Sequence, residues 1–151
     1  MKQLKLTLLF CTALLLAACG GDLEPREVNS ETDVCIMCNM SVTHIDYAAQ
    51  IVKKNGDHLI FDDLGCLMEY IHEYGEDEIG ASYIMETDSP NWLNVKEAVY
   101  VYAKDYWTPM NYGVLAFATT EAAKSYMSEQ PGELLAYEDL LTFNWGVHAH
   151  E

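Results

Sequence analysis

The chain has 151 residues, of which 24 are acidic and eight are basic, so its formal charge is −16 at neutral pH. Half of the residues are hydrophobic, which suffices for the core of a folded domain and excludes an acidic disordered chain. So large a negative charge disfavours binding to nucleic acid, and no nucleic-acid partner is expected.

The first residues have the pattern of a bacterial lipoprotein signal. Lys2 and Lys5 precede an apolar stretch, residues 6–16, that is too short to span a bilayer, and small residues lead to Cys19. We expect removal of residues 1–18, a mature charge of −18 because two basic residues are lost, and a lipid anchor on Cys19. The protein would then be extracytoplasmic, attached to a bacterial membrane. Ordinary secretory cleavage would instead leave Cys19 as a free thiol.

Residues 19–33 have the composition of a flexible tether. Two glycines follow Cys19, Pro25 lies further along, and the stretch is acidic with few apolar residues.

A sulfur-rich motif follows the tether. Cys35, Met37, Cys38 and Met40 stand within six residues, and soft thiolate and thioether ligands favour Cu(I). Zinc gains little from thioethers. Asn39 tolerates a left-handed backbone and can turn the chain so that its neighbours converge. A disulfide or redox pair remains an alternative, as do core-filling methionines.

Two further side chains are secondary candidates. With Cys66, three cysteines remain beyond the anchor, and an odd number cannot all pair internally. Cys66 falls opposite the apolar stripe of a predicted helix, which does not indicate a core residue, and the helix dipole would stabilise its thiolate. It is a third donor, a resolving thiol or an inert surface cysteine. His44 could reach a metal bound at Met40, or be a polar loop residue.

The chain is expected to repeat one order of elements. An Asn-Gly turn joins the first two strands, Asp62 or Asp63 caps the first helix, and Thr119 or Thr120 caps the second. The first unit has strands over 47–52 and 58–61, a helix over 64–74, a strand over 82–85 and a polar loop over 87–94. The second has strands over 98–103 and 113–118, a helix over 121–129 and a strand over 133–137.

Matching residues 56 positions apart support the repeat: Phe61 with Phe117, Tyr70 with Tyr126, and Asn55 with Asn111. We therefore predict an α+β fold in which two consecutive ββαβ units pack as one small body.

The predicted domain boundaries follow from this repeat. Residues 34–94 form the first unit and residues 95–143 the second. Residues 144–151 form a C-terminal tail. Its His148 and His150 either bind Cu(II) or zinc or, as a frayed terminus, stay solvated.

The second unit has a distinctive loop over residues 106–112. Met110 follows Pro109 among three aromatic residues. Its side chain either fills a buried space in the core or is presented at the loop tip as a metal ligand. Trp107 would shield the site, or lay its ring against an ion.

Together, the lipoprotein signal, the Cys-x-x-Cys-x-Met motif and the Thr-Pro-Met loop resemble the NosL family of nitrous oxide reductase accessory lipoproteins. The resemblance implies two ββαβ units, a fold related to that of alkylmercury lyase. It also implies Cu(I) binding and copper delivery to the apo form of nitrous oxide reductase, with a membrane maturation and transporter complex as a further partner. Cys38 and Met40 match the family's Cys-x-Met core, Cys35 matches its frequent first cysteine, and Met110 matches the loop methionine.

The motif departs from the family pattern at two places. Asn39 stands where Gly is usual, which keeps the backbone freedom. Ile36 and Met37 replace the commoner Pro-Val, which adds a thioether that either packs in the core or lies at the rim of the site.

The leading hypothesis is a membrane-anchored Cu(I) metallochaperone that is not an enzyme. The alternative is a thiol–disulfide redox lipoprotein that uses Cys35 and Cys38, although it would give Met40 and Met110 no role. A lyase that uses Cys38, Cys66 and Asp62 is a third possibility.

Overall fold

The computed structural model describes residues 22–145. A 3-10 turn, Ile45–Tyr47, precedes the first strand. The strands are β1 (Ala49–Lys53), β2 (His58–Phe61), β3 (Ile79–Met85), β4 (Trp92–Asn94), β5 (Val99–Tyr102), β6 (Val114–Phe117) and β7 (Glu133–Leu135), and the helices are α1 (Leu64–Tyr74), α2 (Thr120–Glu129) and α3 (Tyr137–Leu140).

The strands form two antiparallel sheets with matching topology. The first sheet has the order β2-β1-β3-β4 and the second has the order β6-β5-β7. In each unit, the first strand lies between its hairpin partner and the strand that follows the helix. The predicted α+β fold of two ββαβ units is therefore confirmed.

Two of the three sequence matches occupy equivalent positions. Phe61 ends β2 and packs on Tyr70 of α1, with ring centroids 5.6 Å apart. Phe117 ends β6 and packs on Tyr126 of α2 at 5.2 Å. The repeated pair is therefore the contact between hairpin and helix in each unit.

Several elements differ from the prediction. Tyr47 lies in the 3-10 turn and not in the first strand, and β3 begins at Ile79 and not at Ser82. Strand β4 lies inside the expected polar loop 87–94, and it pairs with the end of β3, where Met85 faces Trp92. The last strand ends at Leu135 and not at Tyr137. There the backbone N–H of Ala136 donates to the Asp139 carboxylate at 2.8 Å, which starts α3 in place of further strand.

The described part of the expected tether, residues 22–33, packs against the first sheet. The buried Gln50 amide accepts from the Arg26 N–H at 3.1 Å and donates to the Arg26 carbonyl at 3.0 Å. The Tyr83 hydroxyl donates to the carbonyl of Leu23 at 3.1 Å. Composition did not reveal this docking because it depends on Gln50, a polar side chain of β1 that lies 24 residues after Arg26.

Several predicted features lie outside the described residues: the signal 1–18, the anchor Cys19, and His148 and His150. Within residues 22–145, no helix has the length and apolar character needed to cross a bilayer.

The ring of Tyr112, from the second unit, packs on the start of α1. The Tyr112 hydroxyl donates to the Glu69 carboxylate at 2.6 Å, and its ring covers Gly65. A Cβ on Gly65 would lie 1.9 Å from Cδ2 of Tyr112, which is far inside van der Waals contact. Glycine is required here because another chain segment approaches the helix backbone.

We predict that Gly65→Ala destabilises the protein by about 1–3 kcal/mol, the usual cost of overpacking. At an open helical site the same change would be stabilising by about 0.5–1 kcal/mol, because alanine favours the helix. The free energy of unfolding in urea measures the difference. In a Tyr112→Ala background the clash is gone, so the sign should reverse; a loss of equal size there would contradict the packing described.

Candidate metal centre

The sulfur motif forms a closed turn. Its base is an antiparallel bridge between Val34 and Ser41, and the Cys35 N–H donates to the Met40 carbonyl at 2.8 Å. Asn39 has a φ of 59°, and its N–H donates to the Cys35 carbonyl at 2.9 Å. The predicted left-handed turn at Asn39 is confirmed, and it folds Cys38 back towards Cys35.

The turn is attached to the first sheet beside α1. The N–H of Ile36 donates to the carbonyl of Ile60 in β2 at 3.0 Å. Since α1 begins three residues after β2 ends, its first turn lies next to the motif. The Sγ atoms of Cys35, Cys38 and Cys66 consequently all lie within 4.8 Å of one another, a group that could hold a metal ion. We call these residues the three-cysteine cluster.

The expectation that Cys66 lies away from the core is wrong. Its side chain has no exposed surface, and neither has that of Cys35. The apolar stripe of α1 faces the sheet, and the opposite side at this first turn is covered by the sulfur motif. Cys38 is partly exposed, and Met40 is 51% exposed. The cluster therefore reaches the surface on the Cys38 side.

The three thiols differ in acidity because they share hydrogen bonds. A hydrogen bond from the Cys66 thiol lowers the pKa of Cys35 to about 5 despite its burial, and the backbone N–H groups of Cys38, Asp62 and Met37 also favour its thiolate. The pKa of Cys66 is raised, first by this hydrogen bond and then by burial. Burial, followed by the hydrogen bond to Cys35 and then the charge on Cys35, raises the pKa of Cys38 to about 11. Cys35 is therefore the most acidic of the three thiols.

Asp62 is buried beside the cluster with an oxygen left unpaired. It is 2% exposed, and its Oδ1 has no hydrogen-bond partner. Burial and the nearby Cys35 raise the pKa of its carboxyl, whereas His44 acts to lower it. A cation held by Cys35 would be within electrostatic reach of this carboxyl group. The sequence predicts either Asp62 or Asp63 as the cap of α1. Since Asp63 is the cap, the Asp62 side chain is available for a different role.

Asp63 is the residue that caps α1. Its Oδ1 accepts from the N–H of Cys66 at 3.1 Å, and its Oδ2 accepts from the N–H of Met110 at 3.1 Å. Burial raises the pKa of the Asp63 carboxyl to about 6, even though both N–H groups favour the charged form. The link from Asp63 to Met110, 47 residues away, carries no local signal in the sequence.

Met110 lies on the same groove as the exposed side of the cluster. The groove has a volume of about 1280 Å³, and it extends between the sulfur motif, α1 and the segment after α3. Its sulfur-bearing lining residues are Met37, Cys38, Met40, Met68 and Met110. Met110 is half-buried, and Met37 packs partly against the core. Met68 was not among the candidates, since its position on the apolar stripe of α1 indicated only a core residue.

His44 and Trp107 form a separate contact. Their rings meet edge to face with centroids 4.9 Å apart, and Trp107 also packs against Tyr47 at 5.3 Å. Neither residue lines the groove. Trp107 therefore packs against His44, although both side chains stay exposed. His44 is near enough to Asp62 to lower the pKa of that carboxyl.

The comparisons with known proteins agree with this architecture. A solved structure, the copper chaperone NosL from Shewanella denitrificans, matches with a TM-score of 0.67 at 17% identity, over 78% of this chain and 95% of that one. No curated protein matches the sequence significantly. The sequence profile of the NosL family matches residues 25–142. That match spans both sheets and the three-cysteine cluster, so the chain belongs to the NosL family.

Proposed function

We propose that this chain is a membrane-anchored, extracytoplasmic metallochaperone that binds Cu(I). The observation that carries the proposal is the three-cysteine cluster, whose Sγ atoms lie within 4.8 Å of one another and which opens on a groove lined by thioethers. It is supported by membership of the NosL family and by the fold of a protein that is itself a copper chaperone.

The donor set suits a soft, monovalent ion. Thiolates and thioethers prefer Cu(I) to hard cations, and one thiolate would balance one positive charge, which lowers the cost of burying the ion. Cys35 and Cys38 with Met40 and Met110 are the proposed ligands, and Cys66 now joins them because its sulfur lies in the cluster. Thioethers are neutral donors, so a mixed set holds copper less tightly than a cage of thiolates and can release it.

The geometry also suits transfer to a partner. The groove of about 1280 Å³ is larger than many pockets for small ligands, so a partner's side chains can enter it. Cys38 and Met40 are the ligands that such a partner would meet. We propose the apo form of nitrous oxide reductase as the acceptor, together with its membrane maturation and transporter complex, on the strength of the family.

The chain is not an enzyme, in accordance with its family and with the copper chaperone of the same fold. A redox role for Cys35 and Cys38 is disfavoured by their placement. Disulfide exchange needs an accessible thiolate, but the acidic thiol, Cys35, has no exposed surface. The accessible thiol, Cys38, has a raised pKa.

The reduced protein should take up one Cu(I) per chain in competition with a bidentate Cu(I) chelator. Cys66→Ser should weaken binding by more than about tenfold, the least that disturbing even an outer-shell partner usually costs. Ala123→Ser is a matched control, because it adds a buried hydroxyl early in α2 and should leave the affinity unchanged. Absence of Cu(I) uptake by the wild-type protein would end the proposal.

A disulfide-exchange assay separates the chaperone from the redox alternative. Reduction of insulin disulfides by the dithiol protein should proceed no faster than with dithiothreitol alone, because Cys35 is inaccessible. Turnover that survives Met40→Ala and Met110→Ala but is lost in Cys38→Ser would instead establish the redox function.

Lipid attachment is tested at Cys19. In cells that express the full chain, Cys19→Ser should move the protein from the membrane fraction to the soluble fraction, because a single lipid-modified residue provides the anchor. Cys11→Ser, a cysteine of the predicted signal, is the matched control. Membrane retention of the Cys19→Ser protein would contradict this anchor.

A further inference from the structure

We infer that Asp63 is the positioning residue that fixes Met110 beside the three-cysteine cluster. This inference deepens the proposed function, since it concerns how the two units of the chain contribute to one copper site. It rests on the hydrogen bonds of a single buried carboxylate.

The Asp63 carboxylate connects the two halves of the donor set. One oxygen accepts from the N–H of Cys66 and the other accepts from the N–H of Met110, each at 3.1 Å. The two donors belong to different ββαβ units. The spacing between the backbone of one cluster ligand and that of the loop methionine is therefore set by one side chain.

Only a carboxylate satisfies all the donors that meet at this place. Asp63 is 3% exposed and Thr108 is 2% exposed, so water cannot replace a missing acceptor. The nearby Thr108 side chain also acts to lower the pKa of the Asp63 carboxyl. An ionised carboxylate offers about four acceptor sites and no donor. An amide in its place would turn an N–H group towards one of the two backbone N–H donors.

The rest of the loop is anchored on either side of Met110. The Thr108 Oγ1 accepts from the N–H of Tyr112 at 2.9 Å, and the Tyr112 hydroxyl is held by Glu69 at 2.6 Å. These contacts fix the two flanks of the loop, and the bond to Asp63 fixes the backbone of Met110 itself. The methionine is thus ordered on the groove before any metal binds, which reduces the entropy lost on binding.

The test is a double-mutant cycle between Asp63→Asn and Met110→Leu. Asparagine caps a helix as well as aspartate, so its single carbonyl oxygen can keep the Cys66 bond while the Met110 bond is lost. We expect Asp63→Asn to weaken Cu(I) binding about tenfold, the effect of one charge-assisted hydrogen bond. Met110→Leu should weaken it by a similar factor, and the double variant should be no weaker than Met110→Leu alone.

A matched control separates positioning from general stability. Thr119→Ala removes the equivalent cap of α2, where the Thr119 hydroxyl accepts from the Ala122 N–H at 3.1 Å. It should lower the melting temperature without changing the Cu(I) affinity. Additive losses in the double variant, or an affinity loss in Thr119→Ala equal to that in Asp63→Asn, would overturn the role of Asp63.

A readout without copper keeps this inference distinct from the proposed function. In methyl-labelled metal-free protein, the Met110 resonance, assigned from its loss in Met110→Leu, should shift and narrow in Asp63→Asn but not in Thr119→Ala. Thr108→Val, which removes the hydroxyl that accepts from the backbone N–H groups of Tyr112 and Gly113 after Met110, should produce a similar change. An unchanged Met110 resonance would overturn the inference, whereas failure of the wild-type protein to bind Cu(I) would overturn the chaperone proposal.

Discussion

Three segments that are distant in sequence meet at the first turn of α1, and polar groups buried there must find partners among themselves. The sulfur motif arrives along β2 through the bond from Ile36 to Ile60, and the loop of the second unit arrives through Asp63. Unpaired buried polar groups cost about 1–3 kcal/mol each. That cost restricts how the three segments can be arranged. In the arrangement they adopt, Cys35 and Cys38 of the sulfur motif lie in one cluster with Cys66 of α1.

The same requirement explains why the buried carboxylates are unequal. Asp63 is satisfied by backbone donors on both oxygens, whereas Asp62 keeps an unpaired Oδ1. Burial, and then the nearby Cys35, raise the pKa of the Asp62 carboxyl, because a negative charge there is disfavoured. A cation bound at the three-cysteine cluster would offset that effect.

Much of the fold could be predicted because its signals are local. The turn at Gly56, which has a φ of 89°, is indicated by residues next to it in the sequence. The same holds for the helix caps Asp63 and Thr119. The aromatic pairs of the repeat mark equivalent contacts in the two units. Strand β4 was missed because three residues in a polar loop carry no alternating pattern. Its existence depends on the edge of β3 that it pairs with.

The site was predictable only in part, for a similar reason. The motif and the turn at Asn39 are local, so the convergence of Cys35 and Cys38 could be anticipated. The burial of Cys66 could not, because helical periodicity describes which face of α1 meets the sheet and says nothing of a loop that covers the other face. The groove that Met68 shares with Met110 likewise depends on how the two units pack.

The docking of the N-terminal segment on the first sheet alters how the domain would sit at a membrane. Leu23 is already held by Tyr83, and with a lipid on Cys19 the lipid-modified residue would precede that fixed point by only four positions in the sequence. Four residues extend at most about 14 Å. A tether of this length would keep the folded domain close to the lipid headgroups and restrict its rotation. An acceptor protein would then have to approach the domain from the side, along the membrane surface.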